Sequence, residues 1–220
     1  MRITPHKFKG LYEARDKRRM LLTKNLVKGV SVYGERLFNE YREWDPRKSK
    51  LGAALHKGVS QMGIKPDSIV LYLGCASGTT PSHVSDIVGR GGFVYALDFA
   101  PRVLRDIVPV CEQRPNMVPI LADAKHPETY FHQVGMADAV FQDIAQKDQV
   151  GIFLKNCDMF LKTGGFGLLA VKARSIDVSK KPKQIFSEVR VRLEKEITIV
   201  DYKDLEPFEK DHCIFICKKK

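Results

Sequence analysis

Residues 70–89, VLYLGCASGTTPSHVSDIVG, pass from an apolar run through a turn containing Gly74 and Gly78 into a helical pattern. A strand, a glycine-bearing turn and a helix in that order open a βαβ unit, and the downstream sequence repeats the rhythm. Apolar spacing and chain breakers predict strands at 69–73, 93–97, 117–121, 138–142, 166–172, 196–202 and 212–218. Helices are expected near 80–88, 101–111, 147–160 and 182–194, with a further helical stretch near 128–133. Too few residues separate the last two strands for a crossover helix, so they are expected to form an antiparallel pair at one sheet edge. The fold class is therefore α/β, a doubly wound sheet ending in an antiparallel hairpin.

Upstream, the short pieces GLYEAR, RMLLTKN and SVYGERLFN suggest a small strand-rich appendage. After WDPRKSK, a helical pattern through Leu51, Leu55, Val59 and Met62 is expected to end at Gly63. Two parts follow: a small β-rich basic domain over 1–52 and a Rossmann-like domain over 53–220.

The 220 residues are 44% hydrophobic and 29% charged, as in globular chains that bury a substantial core, and no apolar stretch reaches the roughly 20 residues of a membrane span. The amino terminus, MRITPHKFKG, lacks the apolar segment of a secretory leader. Five cysteines without metal-ligand spacing suggest buried, reduced thiols and a cytoplasmic setting. His6, His56, His83, His126 and His132 lack partners at metal-ligand spacing, so no metal is expected. Residues 1–50 carry 14 Lys and Arg against 6 Asp and Glu, residues 51–171 carry 10 against 11, and residues 172–220 carry 13 against 9. A neutral middle with cationic ends suits a polyanion such as nucleic acid, although no RRM or KH signature is present.

The turn after the first strand of the unit narrows the ligand. A dinucleotide fingerprint requires G-x-G-x-x-G, but Ala76 occupies the second glycine position and no P-loop Gly-Lys-Ser/Thr follows. The next strand ends at Asp98, 24 residues beyond Gly74, where a carboxylate can accept hydrogen bonds from ribose hydroxyls. Asp123 ends the following strand segment, PILADA, and Asp143 ends VFQD. Three strand-end acids and no phosphate loop point to an adenosine ligand such as S-adenosylmethionine.

The runs YREWDPRKSKLGAAL, LGCASGTTPSHVSDIVG, VYALDF, LADAKHP, VFQDIAQKDQ, LAVKARSID and FEKDHCIFI, in this order, resemble fibrillarin, the RNA-guided ribose 2′-O-methyltransferase. The resemblance covers nearly the whole chain. Eukaryotic members carry a Gly/Arg-rich amino-terminal tail, so the likeness is to the archaeal form. Asp98 stands where the family usually has Glu, and Cys75 and Pro81 stand where small or branched residues are usual.

The resemblance implies a Rossmann-like S-adenosylmethionine-dependent methyltransferase sheet and a catalytic set of Lys50, Asp143, Lys172 and His212. In that set Lys172 would take the proton or polarise the 2′-oxygen, Asp143 would orient Lys172, and Lys50 with His212 would position ribose and phosphate. Cations near Lys50 (Arg47 and Lys48) are expected to lower its pKa, making it a potential base. The implied cofactor pocket comprises Gly74, Ala76, Thr79, Thr80, Asp98, Phe99, Asp123, Ala124, Asp143 and Gln146. Within it, the two threonines would donate from hydroxyl or backbone to the methionine carboxylate, Phe99 would cover adenine, Asp123 and the Ala124 backbone would read its edge, and Gln146 would close the methionine end. The implied partners are a box C/D guide RNA and its target rRNA or tRNA, a Nop-type scaffold protein and a kink-turn-binding protein. A stand-alone ribose methyltransferase and a catalytically silent RNA-binding subunit are the alternatives.

Overall fold

The computed structural model describes residues 2–16 and 18–220. Five strands form the small antiparallel sheet: β1 (Ile3–Pro5), β2 (Leu11–Arg15), β3 (Arg19–Lys24), β4 (Leu37–Phe38) and β5 (Tyr41–Trp44), in the order β1-β2-β3-β5-β4. The helix α1 (Lys50–His56) follows, capped by the Ser49 hydroxyl, which accepts from the Gly52 amide. The helical pattern expected up to Gly63 stops early because the chain turns at Gly58, where φ is +73°. Val59 and Met62 are nevertheless buried, so their apolar spacing records packing of an irregular segment.

The large sheet contains β6 (Ile69–Leu73), β7 (Phe93–Asp98), β8 (Met117–Leu121), β9 (Ala137–Gln142), β10 (Leu161–Lys172), β11 (Thr198–Asp204) and β12 (His212–Lys218). Its order is β11-β12-β10-β9-β6-β7-β8. All pairings are parallel except those of β12 with β10 and β11, as expected for a terminal hairpin. The helices are α2 (Thr79–Val88), α3 (Pro101–Glu112), α4 (Gln149–Phe160), α5 (Ala173–Ile176) and α6 (Pro182–Glu194). The stretch near 128–133 forms two 3₁₀ turns, Pro127–Thr129 and Phe131–Gln133. Strand order reverses between β6 and β9, and it is at such a switch point, beyond the carboxyl ends of the strands, that α/β sheets hold ligands.

The five cysteines are free and buried, and burial raises every thiol pKa, Cys111 to about 11 and Cys217 to about 12. Such thiols pack as small apolar groups and are unreactive. Among the described residues no helix is long and apolar enough to cross a membrane, and no cluster of His, Cys, Asp and Glu is arranged to hold a metal ion.

The small sheet shares its core with the large one. Leu11, Leu21 and Trp44 pack in one apolar cluster with Val70, Tyr72 and Val84, and a division after residue 52 would cut α1. A buried polar junction joins the small sheet to α2. Asp86 lies between Arg114 at 2.7 Å and Arg42 at 3.2 Å, and also accepts from the Thr23 hydroxyl at 2.7 Å and the Leu26 amide at 3.0 Å. His83, one turn earlier, stacks on Trp44 at 4.7 Å, and its ring nitrogens bond Thr23 and Tyr33, both at 2.8 Å. Burial and the two arginines hold the pKa of His83 well below the ordinary value, so it is neutral.

Removing one member of such a network leaves buried charge uncompensated, which costs about 3–5 kcal/mol. Asp86→Ala is therefore expected to lose about that much stability in denaturant unfolding. A loss below about 1 kcal/mol, the size of a surface pair, would show that the junction does not hold the sheets together.

Candidate active site

A cleft of about 270 Å³ opens at the switch point, lined by residues that follow β6, β7, β8 and β9. Eight of the ten expected cofactor residues line it: Gly74, Ala76, Asp98, Phe99, Asp123, Ala124, Asp143 and Gln146. Leu97, Ile144 and Ala145 complete the lining. The sequence reading missed these three because apolar side chains beside a strand-end acid carry no chemical signature.

Backbone contacts shape the cleft. The amides of Gly74 and Cys75 both donate to the Leu97 carbonyl, at 2.8 and 3.0 Å, while the Asp143 amide donates to Leu73. Gly74 has φ +85°, and a Cβ there would collide with the Asp143 carbonyl. Its freedom therefore serves the close approach of two strand-end loops, a tighter requirement than the ligand approach expected from sequence. Ala76 occupies the left-handed region at φ +47°, and its amide donates to Asp98 Oδ2 at 3.1 Å.

Asp98 is nearly buried and accepts from two amides, Ala76 at Oδ2 and Ala100 at Oδ1, both at 3.1 Å. It braces the loops after β6 and β7, and each oxygen retains a second lone pair toward the cleft. Phe99 is 62% exposed on the rim, so it is not core filler. Asp123 Oδ1 accepts from the Lys125 amide, and buried Ala124 is anchored through its carbonyl to Asn156 at 2.8 Å. Thr79 and Thr80 lie at the start of α2, outside the cleft lining. Thr80 is buried, and its hydroxyl donates to Ser49 at 2.9 Å. Its side chain thus ties α2 to the cap of α1, which leaves the backbone amides at the start of α2 as the other donors that the expectation allows.

Lys50, at the first position of α1, donates to Asp143 Oδ2 at 2.9 Å, closing an ion pair across 93 residues of sequence. Burial disfavours the lysine charge, but the attraction of Asp143 and this hydrogen bond outweigh it and raise the Lys50 pKa. The expected neutral Lys50 is therefore corrected: its decisive neighbour is a carboxylate on another element, not Arg47 or Lys48. Asp143 accordingly bonds Lys50, whereas the sequence reading had it orienting Lys172.

Lys172 and His212 face one another as register partners on β10 and β12. The Lys172 backbone is held by Gln149, which accepts from its amide and donates to its carbonyl at 3.1 Å each. Gln142, ending β9, donates to the Gln149 carbonyl at 2.7 Å, so the ends of β9 and β10 are tied through the start of α4. The Lys172 side chain is exposed. His212 Nδ1 bonds the Lys210 carbonyl at 2.6 Å, and since a carbonyl only accepts, the proton is on Nδ1 and Nε2 carries a lone pair. Burial, aided by Lys50 and Lys172, lowers the His212 pKa, so the ring is neutral at neutral pH.

Comparison with known proteins agrees with this geometry. The fibrillarin family model matches residues 3–220. The fibrillarin-like rRNA/tRNA 2′-O-methyltransferase of Thermococcus onnurineus is 52% identical over the full length of both chains. Aeropyrum pernix fibrillarin, solved in complex with natively bound S-adenosyl-L-methionine, superposes with TM-score 0.91 at 43% identity, covering 99% of this chain and 98% of that one. A fibrillarin solved in a fibrillarin/Nop5p complex superposes with TM-score 0.90 at 38% identity, covering 98% of this chain and all of that one. With its sheet order, its strand-end acids and a match along almost its whole length, the chain belongs to the fibrillarin family.

Proposed function

We propose that the protein transfers a methyl group from S-adenosylmethionine to the ribose 2′-oxygen of rRNA and tRNA, as the catalytic subunit of a box C/D guide ribonucleoprotein. The observation that carries this reading is Asp143, which lines the cofactor cleft and also bonds Lys50. One carboxylate thereby joins a pocket suited to adenosine to a polar cluster suited to a hydroxyl nucleophile.

The residues present fit S-adenosylmethionine. Asp98 and Asp123 offer acceptors at the ends of β7 and β8, and Phe99 offers an exposed aromatic face. The bound cofactor supplies an electrophilic methyl group on a sulfonium, and the 2′-oxygen must attack in line while losing its proton. Asp143 has one oxygen fixed by Lys50 and presents the other as proton acceptor. Lys172 is the exposed cation that draws in the ribose-phosphate, and His212 Nε2 accepts a hydrogen bond from the substrate.

Nucleotide choice is left to base pairing with the guide, which accords with a basic chain whose sequence carries no RRM or KH signature. The Nop-type scaffold is the partner of a relative found in a fibrillarin/Nop5p complex. A kink-turn-binding protein completes the proposed assembly, and the free, buried cysteines fit a reducing cytoplasm.

Transfer of a labelled methyl group is expected only in the mixture with guide RNA and scaffold proteins, at the guided nucleotide, and not to a 2′-deoxy target. Efficient transfer by the isolated chain would instead establish a stand-alone enzyme, and no transfer despite verified assembly a silent subunit. In the assembly, Asp143→Asn should slow single-turnover transfer by roughly 10²–10⁴-fold, the contribution of a positioned acid–base group. Full activity in that variant would remove Asp143 as proton acceptor. Phe99→Ala should weaken S-adenosylmethionine binding by about 1–3 kcal/mol in calorimetry, the usual contribution of base stacking. Because Phe99 is exposed, thermal unfolding of the free variant should match the parent.

A further inference from the structure

The antiparallel register of β10 with β12 ends at Lys172 and His212, which stand opposite one another. One more rung lies beyond them, from the Ala173 amide to the Asp211 carbonyl at 3.1 Å. Side chains then close the end of the ladder. Arg174 Nε, on α5, donates to Asp211 Oδ2 at 3.1 Å, and Arg174 Nη1 donates to the Val178 carbonyl at 3.1 Å. The guanidinium is thereby held between the residue that precedes His212 and the turn that follows α5.

Asp211 itself has φ +58°, a left-handed conformation that Asp and Asn adopt more readily than other residues with a Cβ. This bend lies between His212 and the Lys210 carbonyl, the group that accepts from His212 Nδ1 at 2.6 Å. The backbone of Asp211 therefore sets the contact that fixes the His212 proton, and its side chain ties that backbone to Arg174. The ion pair is partly open to solvent, with 47% of the Arg174 side chain and 19% of the Asp211 side chain exposed, so it adds little to global stability. Its consequence is local geometry beside Lys172 and His212.

We propose that Arg174 and Asp211 are positioning residues for methyl transfer: their ion pair latches the left-handed turn at Asp211 and so keeps the His212 proton on Nδ1, leaving the Nε2 lone pair for the substrate. Without the latch, the turn relaxes toward negative φ and the Lys210 carbonyl leaves Nδ1. The ring is then free to carry its proton on Nε2, where it cannot accept a hydrogen bond. The inference rests on the methyl-transfer reading, which gives His212 its part as acceptor, so its test includes a measurement independent of turnover.

In ¹⁵N-histidine-labelled full chain at neutral pH, long-range ¹H–¹⁵N correlation reads the tautomer of each ring, and the His212 signals are those missing from His212→Gln. The parent should show His212 with its proton on Nδ1 alone, whereas Asp211→Ala and Arg174→Gln should each show both tautomers. In the assembled ribonucleoprotein, single-turnover transfer by these variants should slow about tenfold, within the range a misplaced group costs, with S-adenosylmethionine affinity unchanged and RNA affinity within about twofold of the parent. Asp211→Asn keeps an oxygen for Arg174 and tolerates the left-handed turn, so it should restore the single tautomer and most of the rate. Should Asp211→Ala fail to fold, Asp211→Gly, which adopts φ +58° without strain, releases Arg174 alone and should give the same mixture. A fixed tautomer in the variants, or a parental rate, would overturn the proposal. A loss of RNA affinity with the tautomer unchanged would also overturn it, by assigning Arg174 to a phosphate contact. Mixed tautomers in variants of a chain whose parent assembly transfers no methyl group would uphold the latch and overturn the methyl-transfer reading.

Discussion

The buried carboxylate of Asp86, held between Arg42 of the small sheet and Arg114 after α3, is the interaction on which the arrangement of the site depends. Asp86 lies on α2, the helix whose first turn follows the glycine loop of the cofactor cleft. Fixing the middle of α2 against two sheets at once fixes where that loop ends. The side chains around Asp86 supply enough donors to satisfy it, which is the condition for a buried charge to be tolerated. The small sheet is thus part of the same core as the methyltransferase sheet, and α1, which carries Lys50, runs from one to the other.

Two further links carry that order to the chemistry. Ser49 caps α1 and accepts from Thr80 at the start of α2, joining the helix bearing Lys50 to the helix bordering the cleft. Gln142 and Gln149 then tie the end of β9, beside Asp143, to the end of β10 at Lys172. Each polar side chain of the cluster therefore projects from a backbone that is hydrogen-bonded on at least one side. This restraint keeps opposite charges close.

Most of the large sheet was legible in the sequence because its strands are short apolar runs bounded by glycine, proline or acids, a pattern that parallel burial imposes. The strand-end acids were legible for a related reason: a carboxylate has few stable places in an apolar run other than its exposed end. What escaped notice depends on contacts between distant segments. YREW was not read as β5 because it packs beside β3, whose register no local pattern reveals. The charge state of Lys50 was misjudged because Asp143 lies 93 residues away and acts only in the fold.

Asp98 shows how a departure from the family pattern can be absorbed by geometry. A carboxylate one methylene shorter than glutamate sits closer to its own backbone, and here it accepts from the amides of Ala76 and Ala100. Those bonds hold Ala76 in its left-handed conformation, which is otherwise unfavourable for a residue with a Cβ. The shorter acid therefore braces two of the loops that line the cleft, those after β6 and β7. Preorganised loops lower the ordering cost of binding a ligand. In this chain the acid ending β7 shapes the cleft by bracing the loops after β6 and β7, and Phe99, Asp123 and Ala124 complete that side of its lining.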